Sequence, residues 1–152
     1  NIIEVDNSAA AISKTLVAGE SGSVILANFS VDTGSRGIVV IMPTPAAGLE
    51  YAFIIKDAGD GTNDLVIKTA TDAVDFKGAW NSVKTGVEGG VIAHSTLTFD
   101  IGDTSTQAHL DGTSFQVISD GSHWYLLGGM MYGGEDAFGT GFEASAGTDV
   151  DD

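Results

Sequence analysis

The sequence predicts an all-β fold: a single-domain antiparallel β-sandwich or barrel of the jelly-roll kind, with extended terminal arms. Three observations support this class. Short runs of β-branched and aromatic residues recur along the chain, turn-forming segments separate them, and hardly any window shows the 3.6-residue period of an amphipathic helix. With 21 glycines and 2 prolines in 152 residues, this spacing of short strands is typical of sandwiches and barrels.

Seven strands are predicted, each an apolar run bounded by turn-forming residues. In chain order they cover residues 23–29, 37–42, 50–56, 64–69, 95–101, 114–119 and 123–128, with weaker candidates at 12–17, 73–76 and 87–93. The segment 8–19 is expected to be extended or to form a short helical turn. The chain therefore divides into three parts: an N-terminal arm at 1–17, an all-β domain at 18–129 and an acidic, glycine-rich tail at 130–152.

The alternation of side chains predicts which strands are buried. In residues 50–56, EYAFIIK, alternate side chains lie on opposite faces of the strand. One face carries Tyr51 and Phe53, the other carries Ala52 and Ile54, and both are apolar. This pattern predicts a central strand that is covered on both sides. In residues 95–101, STLTFDI, apolar and polar residues alternate, which predicts a strand with one face in water.

The stretch SDGSHWYLLGG at 119–129 contains the Asp-Gly dipeptide, which is the strongest short signal for a hairpin. A two-residue type I′ turn at Asp120-Gly121 would pair Ser119 with Ser122 and Val117 with Trp124. A four-residue loop would change this register but leave every side chain on the same face. The facing of the two strands is therefore predicted more firmly than their register.

The large aromatic residues of this hairpin could form a platform for a ligand or part of the core. Burial of one large apolar side chain contributes about 2–3 kcal/mol, whereas an exposed cross-strand pair contributes only about 0.2–1 kcal/mol. The core interpretation is therefore favoured. The predicted core of the last hairpin is Phe115, Val117, Trp124 and Leu126. His123 and Tyr125 point to the other side and are candidate surface contacts.

The charge composition disfavours some classes of partner. The chain carries 21 Asp and Glu against 6 Lys and Arg, a formal net charge of −15. Nucleic-acid backbones and anionic membrane surfaces are repelled by such a chain. A partner that offers a basic or neutral surface suits it better. The chain has no cysteine, which excludes a disulfide framework and a thiolate metal site.

The sequence nominates no catalytic, cofactor-binding or metal-binding residue. It contains no serine nucleophile elbow, phosphate-binding loop or dinucleotide fingerprint. The three histidines His94, His109 and His123 are far apart and lack the spacing of metal ligands. We therefore do not expect an enzyme.

One acidic loop has two interpretations. Residues 57–64, DAGDGTND, place Asp57, Asp60 and Asp64 between two predicted strands. Such oxygen-rich glycine turns can hold calcium. The spacing of an EF-hand is missing, however, and Asp, Asn and Gly are also the commonest turn residues. The turn interpretation is favoured, and calcium stays as the alternative.

A few residues are candidates for an interface with other proteins. Arg36 is the sole arginine, and arginine is over-represented at binding hot spots. Phe138 and Phe142 are the large apolar side chains of the last twenty residues, 133–152. This acidic segment is expected to be disordered in isolation or to dock on a neighbour through these rings. The predicted interface set is Arg36, His123, Tyr125, Phe138 and Phe142.

Four stretches of the chain carry a resemblance to a known group of proteins. They are residues 18–26 (AGESGSVIL), 41–61 (IMPTPAAGLEYAFIIKDAGDG), 64–69 (DLVIKT) and 110–129 (LDGTSFQVISDGSHWYLLGG). In these stretches the chain resembles small all-β modules of tailed-bacteriophage virion proteins, including head decoration proteins and domains of appendages. The residues that carry the resemblance are Gly22, Pro43, Gly48, Tyr51, Phe53, Ile54, Gly112, Ser119, Asp120, Gly121 and Trp124.

The resemblance implies a non-enzymatic structural role. It suggests a virion protein on the capsid exterior that binds the major capsid protein and stabilises the shell, and such decoration proteins are often homotrimers. Two other functions stay open. A receptor- or carbohydrate-binding module of a fibre or spike could use Tyr125 and His123 to stack on sugars, and a glycosidase or depolymerase is the least favoured.

Overall fold

The computed structural model describes residues 1–8, 12–30, 37–57, 64–82, 89–100, 111–131 and 142–145. Short strands dominate this part of the chain, as the sequence predicts. They are β1 (Ile2–Asp6), β2 (Ile12–Thr15), β3 (Ser23–Asn28), β4 (Ile38–Ile41), β5 (Glu50–Asp57), β6 (Asp64–Lys68), β7 (Phe76–Ser82), β8 (Gly89–His94), β9 (Thr96–Asp100), β10 (Ser114–Ser119), β11 (Trp124–Met131) and β12 (Phe142–Ser145). A single turn of 3₁₀ helix at Ala18–Glu20 follows β2. None of the helical residues described forms a helix of the length and hydropathy needed to cross a membrane.

The strands form two sheets. The first has seven strands in the order β1-β3-β5-β10-β11-β7-β8, and the second has five in the order β12-β9-β6-β4-β2. From β1 to β6 the chain alternates between the two sheets, so that it winds around the interior like a flattened coil. Near its middle, the chain passes from one sheet to the other at Ser95, between β8 and β9.

The sheets are mixed: some strands pair antiparallel, as predicted, and others pair parallel, so that a purely antiparallel arrangement is wrong. The strands β1, β3 and β5 are parallel neighbours, as are β2, β4 and β6. The coiled path causes this, because a chain that visits the opposite sheet between two strands returns to the first sheet in the same direction. Antiparallel pairs occur later, where β5 and β11 flank β10 and where β9 joins β6 to β12.

Parts of the predicted N-terminal arm, residues 1–17, pair with strands of the predicted domain. Its residues 2–6 and 12–15 form the edge strands β1 and β2, which pair with β3 and β4. At the other end of the chain, the predicted tail contains the end of β11 and all of β12, which pairs with β9. Strand pairing therefore incorporates parts of both predicted arms into the sheets.

One hydrophobic core joins the two sheets. The seven-stranded sheet contributes Phe53 and Phe115, whose rings stack with centroids 5.0 Å apart. The ring of Phe99, from the five-stranded sheet, stacks on Phe115 at 5.3 Å. The buried apolar residues are Val5, Leu16, Ile25, Ala27, Phe29, Ile38, Val40, Met42, Tyr51, Phe53, Ile55, Leu65, Ile67, Phe76, Leu97, Phe99, Phe115, Val117, Trp124 and Leu126.

The last hairpin has a longer loop than the two-residue turn considered from sequence, and that register is wrong. Ser119 pairs with Trp124, and Val117 pairs with Leu126, so that residues 120–123 form a four-residue loop. Since both loop lengths are even, the faces are the same. The predicted core set of this hairpin is buried, and Trp124 lies against Tyr51 with ring centroids 5.8 Å apart.

Candidate interaction surface

The seven-stranded sheet has a second face, directed away from the core. We call the outward side chains of β1, β3, β5, β10 and β11 the outer face. Strand register arranges them in rows across the sheet. The first row is Ile2, Val24, Ala52, Gln116 and Leu127; the second contains Glu4, Leu26, Ile54 and Ser114; the third contains Glu50, Ile118 and Tyr125.

Apolar side chains occupy most of the outer face. Leu127 is 46% exposed and Ile2 is 67% exposed. The other apolar side chains on this face are partly exposed: Val24, Leu26, Ala52, Ile54 and Ile118. A sheet face that meets water usually carries polar side chains, so that the apolar outer face is a candidate interaction surface.

The sequence contained a signal for this surface, although we interpreted it differently. Because both faces of β5 are apolar, the pattern predicted that the strand is covered on both sides. One side is indeed buried, with Phe53 only 2% exposed. On the other side Ala52 and Ile54 keep contact with water. The apolar alternate residues of β3 and β5 are therefore the sequence signal of this partly exposed apolar face.

Polar side chains around the outer face are hydrogen-bonded to one another. The ammonium group of Lys56 donates to Glu4 Oε1 at 2.8 Å, and the amide of Asn28 donates to the same atom at 2.7 Å. These bonds lower the pKa of Glu4 below its ordinary value, and the bond from Lys56 has the largest effect. On the neighbouring strands, Gln116 Nε2 donates to Glu50 Oε2 at 3.3 Å. A partner can therefore cover the face without removing the hydrogen bonds of these groups.

The loop 120–123 fixes one end of the outer face. The carboxylate of Asp120 accepts the backbone N–H of Ser122 at 2.7 Å and of His123 at 2.8 Å. These two bonds lower the pKa of Asp120, and the bond from His123 has the larger effect. The other carboxylate oxygen accepts the hydroxyl of Tyr125 at 3.1 Å, and this bond raises the pKa of Tyr125. Tyr125 is thus held in a defined orientation.

His123 is part of the same loop but contacts a different strand. Its Nδ1 accepts the backbone N–H of Asp75 at 3.2 Å. The backbone N–H of Trp124 donates to the carbonyl of Asp75 at 3.0 Å. These bonds attach the start of β11 to the start of β7. The structure therefore gives His123 a role in joining two strands, next to its predicted role as a surface contact.

The remaining predicted site residues lie partly outside the described part of the chain. Arg36, Asp60 and Phe138 lie outside the described residues. Phe142 opens β12, opposite Phe99 of β9. Asp57 ends β5 and Asp64 begins β6, in different sheets. Within the described ranges, no group of three or more His, Cys, Asp or Glu side chains is arranged to hold a metal ion, so the calcium alternative stays a hypothesis.

The outward face of the five-stranded sheet is more polar and serves as a comparison. Its rows follow from the pairing of β2, β4, β6 and β9. Valine and isoleucine occur there at Val39, Ile41 and Val66, among the polar residues Ser13, Thr15, Lys68, Thr96 and Thr98. Among the residues whose exposure is described, the apolar surface is therefore concentrated on one side.

Comparisons of the chain with protein-family models, with curated proteins and with solved structures give no match. The outer face, with the loop 120–123 at its end, is thus the feature of the molecule from which a function can be argued.

Proposed function

We propose that this protein is a non-enzymatic structural component of a tailed-bacteriophage virion. In this role it decorates the capsid exterior, binds the major capsid protein and stabilises the shell. The observation that carries the proposal is the apolar outer face, which has the character of a protein-binding surface. The resemblance of residues 18–129 to small virion modules supports the virion as the place where the protein acts.

The physical properties of the chain suit this role. A two-sheet body with a shared core, which we describe as a sandwich, gives a firm support for a binding face. A net charge of −15 favours solubility before assembly. Contacts that are individually weak can hold firmly when they repeat over a symmetric shell, because binding at one point raises the effective concentration at the next.

We propose in addition that the chain assembles as a homotrimer, as decoration proteins at local three-fold positions often do. This part of the proposal is an analogy with the resembling modules. Sedimentation velocity on the purified chain tests it, because a trimer has three times the chain mass of 15.5 kDa. A single species at the mass of one chain would contradict the trimer and leave capsid binding open.

The proposed function is tested with virus particles that carry or lack this chain. Deletion of its coding sequence should give particles that assemble but release their nucleic acid at lower temperature or after milder osmotic shock. Addition of the purified protein should restore the resistance. Particles that lack the chain and resist heat and osmotic shock as well as complete particles would contradict a stabilising role.

A receptor- or carbohydrate-binding module of a fibre or spike is the second candidate function. One observation favours it: the ring of Tyr125 is held at the end of the outer face by the hydrogen bond to Asp120, and a fixed aromatic ring is a suitable platform for a sugar. A glycan array with the purified chain distinguishes the two functions. Selective glycan binding that Tyr125→Ala abolishes would support this candidate over decoration.

A further inference from the structure

We infer that the outer face is the surface through which the protein binds the capsid, and that its partner is a flat protein surface with an apolar centre and a basic rim. The inference rests on the proposed function and specifies which surface acts. It follows from the size of the face, from the charge of the chain and from the hydrogen bonds of the polar groups around the face.

The size of the face argues against a stable pair of identical copies. Five strands about 4.8 Å apart and three rows of side chains about 6.8 Å apart give an area of about 500 Å². Stable complexes usually bury about 800 Å² on each partner. A contact of this size is weak when it occurs once. It is sufficient when many copies bind to one particle.

The charge of the chain indicates the chemistry of the partner. A chain with a formal charge of −15 is repelled by an acidic surface. A surface with basic groups around an apolar centre would instead attract the chain and leave the dry contact at the centre intact. The carboxylate of Glu50 on the outer face, whose hydrogen-bond partner Gln116 is neutral, is placed to meet such groups.

The polar groups reduce the cost of the contact. Glu4 is bonded to Lys56 and Asn28, and Glu50 is bonded to Gln116. Buried polar groups that lack partners would weaken binding. Since these groups are already paired within the chain, the apolar side chains between them can be covered without that penalty.

The experiment compares two double variants for binding to particles that lack the protein. Ile118→Thr/Leu127→Thr makes the outer face more polar and places threonine, a β-branched residue that suits strands, at both positions. Val39→Thr/Val66→Thr makes the same kind of change on the outward face of the five-stranded sheet. Both variants are first checked for an unchanged fold by circular dichroism and thermal melting. We expect the outer-face variant to bind at least about tenfold more weakly, because two partly exposed apolar side chains lose their contribution, and the matched control to bind like wild type.

Each outcome has a defined meaning. If wild type binds the particles and both variants bind equally well, the outer face is not the binding surface, while the proposed function stands. If wild type does not bind at all, the proposed function itself fails. Binding of wild type should weaken as the salt concentration rises. Binding that does not depend on salt would contradict the proposal that the partner has a basic rim. Dimers of wild type that the outer-face variant abolishes would assign the face to a second copy and overturn the inference.

Discussion

Replacement of Phe99 by alanine tests directly whether the two sheets share a core. Phe99 is 1% exposed, and its ring stacks on Phe115 of the opposite sheet with centroids 5.3 Å apart. The substitution removes about 120 Å² of buried apolar surface, which corresponds to about 3 kcal/mol. Loss of the ring pair adds about 0.5–1.5 kcal/mol. We therefore expect a loss of about 4 kcal/mol in the free energy of unfolding, within the range of about 3–5 kcal/mol for core phenylalanines.

Equilibrium unfolding in urea, followed by fluorescence of the two tryptophans, measures this loss. The matched control is Thr98→Val on the outward side of the same strand, for which a change of less than about 0.5 kcal/mol is expected. The thermal midpoint of Phe99→Ala should fall by about 8–16 °C. A loss below about 1 kcal/mol for Phe99→Ala would refute the packing of the two sheets across this pair of rings.

Two further predictions concern the backbone and the pH dependence of stability. Gly78 has φ +138°, and a Cβ there would lie 3.2 Å from the Cβ of Leu126. Gly78→Ala should therefore cost about 1–3 kcal/mol, whereas Gly19→Ala, where a Cβ would meet no atom within 4 Å, should change stability little; equal thermal midpoints for the two variants would contradict this. The hydrogen bond from the backbone of His123 lowers the pKa of Asp120 in the folded state. The ionised carboxylate therefore stabilises the fold above the unfolded pKa of about 3.9, and this stabilisation is lost as the pH falls through the folded pKa. Asp120→Asn should accordingly melt below wild type at pH 7, and the difference should shrink as the pH falls through the lowered pKa of Asp120; a difference that grows toward acid pH would contradict the assignment.

The strands with clear alternation could be predicted from the sequence, and the direction of their pairing could not. The bounds of β10 agree with the predicted range 114–119, because a period of two specifies a half-buried strand. The same period does not specify which strand becomes the neighbour. The parallel pairs of β1 to β6 therefore could not be derived from it. β1 (IIEVD) and β12 (FEAS) are short, and the sequence pattern places both in the terminal arms.

The last hairpin shows why a turn motif does not fix a register. Asp120-Gly121 favours a two-residue turn when the backbone alone decides. Here the carboxylate of Asp120 accepts the N–H groups of Ser122 and His123 and stabilises a four-residue loop. Such competition between side chain and backbone is characteristic of aspartate. The buried face of the hairpin is the same in both cases, because it depends on parity.

The candidate surface could be predicted only in part. The sequence showed that both sides of β5 are apolar, but it did not show whether the second side is covered by the chain itself or remains available. That distinction depends on the order of strands in the sheet, which places β3, β5, β10 and β11 side by side. Their outward apolar residues then form one continuous surface, although they are far apart in the sequence.

A cryo-electron microscopy map of the assembled particle tests the central claim most directly. We predict density for this chain on the outer shell, with Val24, Ile118 and Leu127 at the contact with the major capsid protein and basic groups of that protein around them. Density in which Val39 and Val66 of the opposite sheet form the contact, or a shell without this chain, would contradict the account.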